Sequence, residues 1–361
     1  MRAAVIRGSG VKEVELLDDA STVGPDPAEV KVKIKATGVC HSDLSILSGT
    51  LPNSYPAVLG HEASGEVVEV GEHVSEIAVG DRVVISWTPA CGLCPDCVGG
   101  RPFLCVKYIV EGFMKPRFRL GDDSPAFGMA GCGTWAEEMV VPWEACIKVA
   151  DDVPYEYAAL LGCGIATGVG AVFNTARVQP GTNVAVVGCG GVGLSVIQGA
   201  RAAGAANILA IDPLESKHDI AKTFGATHTA TPDQVEDVKN LLTAGQGFDY
   251  GFEVVGKSAT IRAAWQLTRR GGDVIVVGAG AAEDNVQFSA FELLFDGKNL
   301  RASLYGSSDL RRDVPRFVDL WRAGKLDLES LITRRIRFDE LNDAIATLER
   351  GDAIRQVVLF D

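Results

Sequence analysis

The sequence of 361 residues carries a formal charge of −13, with 47% hydrophobic and 22% charged residues. That length and composition fit a folded chain of two domains, and the acidic balance excludes the basic face that non-specific nucleic-acid binding needs. No run approaches the ~18 apolar residues of a membrane span, and MRAAVIRGSGVKEVELL lacks the apolar core of a secretion signal, so no membrane partner and a cytoplasmic address are expected.

From Lys12 to Val149, short alternating runs such as VKVKIKATG, EASGEVVEVGEHV and VGDRVVIS are separated by turn residues. Their period of two predicts a mostly antiparallel, twisted β domain. Metal-ligand residue types gather at three places within it. GVCHSD supplies Cys40, His41 and Asp43, LGHEASG supplies His61 and Glu62, and CGLCPDCVGGRPFLC supplies Cys91, Cys94, Cys97 and Cys105. The last stretch holds four of nine cysteines. A reducing compartment disfavours disulfides and an odd total leaves one thiol over, so metal ligation is preferred there, with redox chemistry third.

After about Ala158 the pattern changes. TNVAVVGCGGVGLSVIQGARAAGAANILAID reads as an apolar strand, a glycine turn, a helix and a second apolar strand ending in an acid. DYGFEVVG and GGDVIVVGAG add further continuous strands, separated by helical segments such as SATIRAAWQLTRR. Such alternation predicts a doubly wound parallel sheet over roughly 165–304. RFVDLWRAGKL and ELNDAIATLERG read as amphipathic helices before a strand, RQVVLF, and the whole tail, 305–361, is expected to return to the first domain, 1–164.

GCGGVG follows a strand and opens a helix, with Asp212 closing the next strand, the context that makes this glycine pattern a dinucleotide site. Gly188 makes the tight turn, Gly190 lets the backbone approach a pyrophosphate, and Gly193 permits close helix–strand packing. Gly191 and Val192 lie at the helix start, whose free N–H groups favour phosphate. Asp212 would bond the adenosine ribose and repel a 2′-phosphate, which predicts NAD as cofactor. Beyond this site, LLGCGIATG contributes Cys163. Cys40, His61 and Cys163 make the three-ligand set of a catalytic zinc with an open position, and Asp43 could orient His61. Taken singly, each of these residue types is more often a buried cysteine or an ordinary histidine than a ligand.

These features together resemble the zinc-dependent alcohol dehydrogenases of the medium-chain dehydrogenase/reductase superfamily, of the two-zinc, class III-like type. GVCHSD, GHEASGEVVEVG, the four-cysteine lobe, GCGIATGVGA, GCGGVG with Asp212, and IRQVV carry the resemblance across nearly the whole length. It implies a GroES-like catalytic domain with a Rossmann domain inserted, and two Zn²⁺ per chain. Cys40, His61 and Cys163 would hold the catalytic ion, with Glu62 behind it. Cys91, Cys94, Cys97 and Cys105 would hold a structural one in a lobe at about 88–108. Ser42 would bond the substrate oxygen and start a proton relay. His41 and Arg355 would lie near the pyrophosphate, Lys217 near the adenosine ribose, and Leu51, Trp87 and Met129 would line the substrate pocket unless core packing claims them. Ser45 stands where many relatives place the histidine that ends the relay.

The implied reaction is reversible hydride transfer between a primary or secondary alcohol and NAD⁺, in a homodimer or a tetramer. A thiol-adduct-linked formaldehyde dehydrogenase is the enzymatic alternative, with Lys115, Arg117 and Arg119 as candidate partners for the adduct's carboxylates. A non-catalytic NAD- or zinc-binding protein is the alternative of another class.

Overall fold

The computed structural model describes residues Met1–Asp361, which form two compact units. The first comprises Met1–Cys163, Asp309–Asp319 and Leu328–Asp361. Its organising strand is Glu29–Val39, in which Val30, Val32, Ile34 and Ala36 are fully buried while the intervening lysines reach outward. Each large apolar side chain hidden this way stabilises by about 2 kcal/mol. Glu29–Val39 pairs antiparallel with Ala63–Val70, Glu138–Pro142 and Arg355–Leu359, and Arg355–Leu359 lies between it and Ile332–Ile336. Two register shifts along the pairing with Ala63–Val70 supply the curvature expected of a β domain of this kind. A second sheet begins with Ala3–Ile6, and the core holds Trp135, Phe118, Leu59 and Met139.

The second unit comprises Gly164–Ser308 and Leu320–Asp327. Its six strands are all parallel, in the spatial order His228–Ala230, Asn207–Ile211, Asn183–Val187, Phe248–Glu253, Thr268–Val276, Asn299–Ala302. Numbered along the chain this is 3-2-1-4-5-6, the doubly wound arrangement with its switch point beside Asn183–Val187. Apolar strands need cover on both faces, and helices such as Gly191–Ala202 and Ser258–Leu267 provide it.

Two local details differ from the sequence reading. Leu320–Asp327 clusters with the second unit rather than returning to the first, because the Gln198 side chain brackets Asp327, accepting from its N–H at 2.6 Å and donating to its carbonyl at 3.4 Å. The helix expected to run through SATIRAAWQLTRR stops at Leu267, where Thr268 begins a strand. No single helix is long and apolar enough to cross a membrane.

Candidate active site

Strand Glu29–Val39 ends one residue before Cys40, which caps helix His41–Ser48. The Asp43 carboxylate closes that first turn, Oδ2 accepting from the Cys40 N–H at 2.8 Å, and its other oxygen, Oδ1, lies 3.3 Å from Nδ1 of His61. The far ring nitrogen of His61, Nε2, is 3.3 Å from the Cys163 sulfur. One ligand atom each from Cys40, His61 and Cys163 therefore lies within 4.8 Å of the others, and all three residues are buried. Ser42 Oγ stands 3.8 Å from Cys40 Sγ. Behind the cluster, fully buried Glu62 places Oε2 3.5 Å from the buried Arg355 guanidinium.

Proton affinities follow from this crowding. A hydrogen bond from Cys163, against burial and with help from Arg355 and His61, holds the Cys40 thiol well below its usual range. Cys163 moves the opposite way, raised by the same hydrogen bond and by burial. Burial alone would lower His61, but Asp43 and Cys40 outweigh it and raise it. Burial also raises Asp43, and lifts Glu62 to about 7 against the pull of Arg355. Protons are thus shared over a tight donor set, the condition in which a dication displaces them.

The four lobe cysteines form the other such group, also within 4.8 Å of one another. Cys94 caps the short helix Pro95–Val98, so the backbone N–H groups of Leu93 and Cys94 turn toward Cys91 Sγ, at 3.5 and 3.3 Å. Led by the bond from Leu93, these pull the Cys91 thiol down to about 6, while burial pushes Cys97 up to about 12. All nine cysteines are free, and buried Cys132, Cys146 and Cys189 join neither group.

In the second unit, Gly188 sits at φ +101°, and a Cβ on Gly193 would fall 1.9 Å from the Gly188 carbonyl. A Cβ on Gly190 would meet nothing within 4 Å, which leaves an open cradle at the start of helix Gly191–Ala202, where Gly191 and Val192 form the first turn. Buried Asp212 accepts from the N–H groups of Cys189 and Leu214, and Lys217 Nζ lies 3.8 Å away. Glu253 was not singled out by the sequence reading. It is fully buried and accepts from the N–H groups of Val255 and Gly256 and from the Thr260 hydroxyl, fixing the loop that packs against Gly188. An acid closing an otherwise apolar strand, GFEVVG, was the available signal.

The other candidates separate. The half-buried Trp87 ring meets His61 edge-on, 6.4 Å between centroids at 84°. Met129 belongs to the hydrophobic core and Leu51 packs against it. His41 is exposed at the helix start. Arg117 is buried against Glu29 and Glu111 and offers no open receptor.

Residues 26–151 match the family model "Alcohol dehydrogenase GroES-like domain", and residues 191–322 match "Zinc-binding dehydrogenase". The chain is 36% identical to an S-(hydroxymethyl)glutathione dehydrogenase of Paracoccus denitrificans, over 99% of both chains. It belongs to the zinc-binding alcohol dehydrogenases. A class-3 alcohol dehydrogenase of Cereibacter sphaeroides is 37% identical to it, again over 99% of each chain. Among solved structures, benzyl alcohol dehydrogenase from Acinetobacter calcoaceticus superposes with a TM-score of 0.91 at 31% identity, over 100% of this chain and 99% of that one. This dehydrogenase is an oxidoreductase with zinc and NAD as cofactors, and its residues fit them. Two thiol-bearing groups have the donor chemistry of zinc, one of four sulfurs and one of two sulfurs and an imidazole. The cradle at Gly190 fits a pyrophosphate.

Proposed function

We propose that Cys40, His61 and Cys163 hold the catalytic zinc, that Cys91, Cys94, Cys97 and Cys105 hold a structural one, and that the enzyme oxidises an alcohol reversibly with NAD⁺. The observation that carries this reading is the buried three-ligand group with Ser42 beside it. When bound, the groups supply Lewis acidity at the substrate hydroxyl and a hydride acceptor. The chain's own residues do the rest. Asp43 fixes the His61 ring so that Nε2 faces the ligand side. Ser42 Oγ is placed to bond the reacting hydroxyl and carry its proton away. Glu62 and Arg355 set the charge behind Cys40, and Arg355 with His41 also serves the pyrophosphate. Ser45 Oγ donates to the His41 carbonyl at 3.1 Å and has no titrating group near neutral pH, so the proton leaves through His41 or directly to water.

Asp212 favours NAD⁺ over NADP⁺, since its carboxylate would face a 2′-phosphate with like charge and Pro213 follows it in place of a cation. Asp212→Gly is expected to narrow the ratio of kcat/KM for the two cofactors. Equal values in the wild type would overturn the assignment.

A homodimer fits the second unit. Strand Asn299–Ala302 closes one side of its sheet, and helix Ala290–Asp296 exposes Phe291 and Leu294 by 71% and 73%. Pairing two such edges across a two-fold axis would cover them; only LRA of the LRASLYG stretch is strand, because Leu304–Ser307 turns away. Sedimentation showing a monomer would count against it. The cytoplasm is the proposed location. The deciding experiment is a panel of primary, secondary, cyclic and aromatic alcohols with NAD⁺. No alcohol-dependent rise in NADH absorbance from zinc-replete protein would refute the function.

A further inference from the structure

Two buried carboxylates stand at the carboxyl edge of the parallel sheet, on either side of the Gly188 turn. Asp212 accepts from the N–H groups of Cys189 and Leu214 at 2.9 and 3.0 Å, and so ties the turn after the first strand to the loop after the second. Glu253 is fully buried and pairs in register with Val187, the residue before Gly188. Its Oε1 accepts from the N–H groups of Val255 and Gly256 at 2.8 and 2.7 Å, and from the Thr260 hydroxyl at 2.7 Å. Its backbone carbonyl takes the N–H groups of Val277 and Gly278 at 2.8 and 3.1 Å. One residue thus holds the loops that follow two neighbouring strands.

The loop held by the side chain has no slack. On one side it packs over the glycine turn, since a Cβ on Gly188 would fall 2.8 Å from Val255 Cγ2. On the other, a Cβ on Gly256, at φ +83°, would lie 2.6 Å from the Ala279 carbonyl, and one on Gly278 would lie 2.1 Å from the Gly256 nitrogen. Val255 itself stays 42% exposed, at the surface beside the turn rather than in the core. Glu253 Oε2 is buried with no hydrogen-bond partner. Burying a carboxylate with one oxygen unsatisfied costs stability, so what this group contributes is the shape of the loop. Such local exceptions gather at functional sites.

In a 3-2-1-4-5-6 sheet a dinucleotide lies across the crevice where the strand order reverses, outside the carboxyl ends of strands 1 and 4. Asp212 stands on the strand-2 side of the Gly188 turn, and residues 254–256 stand on the strand-4 side. A ligand whose pyrophosphate rests at Gly190 and whose adenosine meets Asp212 therefore lays its second nucleotide along Val255. We propose that Glu253 is the positioning residue for that second half: through Val255 it fixes the wall on which the nicotinamide end of NAD seats. The inference rests on the NAD assignment above.

The test is calorimetric titration of the zinc-replete full-length protein with NAD⁺ and with 5′-AMP, which carries the adenosine half alone. Glu253→Ala is expected to raise Kd for NAD⁺ about tenfold, equivalent to about 1.4 kcal/mol, while Kd for AMP does not change. Glu253→Gln keeps an accepting oxygen and should lose less. Hydrogen exchange without cofactor supplies a second readout. In Glu253→Ala the amides of Val255 and Gly256 should lose protection, and those of Cys189 and Leu214, bonded to Asp212, should keep it. An equal rise in Kd for NAD⁺ and AMP, or a shared loss of protection in both loops, would make Glu253 a structural residue of the whole unit and overturn the inference. So would an unchanged Kd for NAD⁺. If Glu253→Ala does not fold, Val255→Ala decides, because that exposed side chain can be cut back without opening the core. It should weaken NAD⁺ selectively, and an NAD⁺ affinity equal to the parent's would overturn the inference. Wild-type protein that binds neither ligand would overturn the NAD assignment as well.

Discussion

The two cysteine-bearing groups are built in opposite ways. The lobe group draws all four sulfurs from positions 91 to 105, three of them half-buried, on short turns with little apolar cover. The Cys40 group gathers ligands from positions 40, 61 and 163, each 3–6% exposed, on elements already fixed by a large core. A local ligand set can organise the backbone that carries it, as small zinc modules do. A dispersed set must be organised by the fold, so its geometry can serve chemistry. The contrast supports the proposal that metal sustains structure in the lobe and function at the buried group.

The largest expected effect falls on activity. Cys163→Ala should abolish alcohol-dependent NADH formation and remove one of the two zinc ions, while circular dichroism and melting stay near those of the parent; a variant that unfolds would erase the contrast. Cys94→Ser should do the reverse, since metal can contribute on the order of 10 kcal/mol to folding such a module. Lost soluble yield and proteolysis confined to the lobe are the expected readouts, and wild-type melting after the substitution would show the lobe stands without its metal. Asp43→Asn tests pre-organisation at the buried group. It should lower metal affinity or turnover about 10- to 100-fold, measured by zinc retention against a chelator, and unchanged retention would mean that His61 needs no orienting partner.

The smallest effect sharpens the comparison through the lobe's other tether. Hydrogen bonding to Lys115, reinforced by its charge, holds Asp26 below its usual range, and for Glu29 the pull of Arg117 and Lys115 outweighs burial. Depressed carboxylates stabilise fully above their unfolded values, about pH 4 to 4.5, and lose that contribution as pH falls through the folded ones. Amide protection in helix Val106–Met114, which carries Glu111, should therefore fall below about pH 4, once the slower intrinsic exchange in acid is divided out. No change down to pH 3 would leave the metal as the sole anchor.

What could be read from the sequence follows the same division. The GCGGVG turn, the lobe spacing and the alternation in VKVKIKATG are short-range patterns, and the structure contains each as an element. Cys40, His61 and Cys163 were legible only through residue type and resemblance, because nothing local joins positions so far apart. Contacts set by tertiary packing were not legible. Arg117 looked like a free cation until Glu29 and Glu111 closed on it. Arg355 sits beside Glu62 only because strand Arg355–Leu359 is seated against Glu29–Val39, a pairing across more than 300 residues that no local pattern shows. Leu320–Asp327 looked like part of a helical return to the first domain until Gln198 engaged Asp327.

The place of strand Arg355–Leu359 between Glu29–Val39 and Ile332–Ile336 also bears on the order in which the molecule is made. A ribosome delivers the whole inserted unit, Gly164–Ser308, before it delivers the strand that completes the sheet begun at Glu29. The early-born domain must wait for the late-born strand, while the inserted sheet, contiguous from Asn183 to Ala302, can close during synthesis. Arg355, the guanidinium behind Glu62 and Cys40, arrives only after the inserted unit has been made. A nascent chain halted before that point would hold all seven proposed cysteine and histidine ligands of the two groups and still lack the guanidinium that faces Glu62.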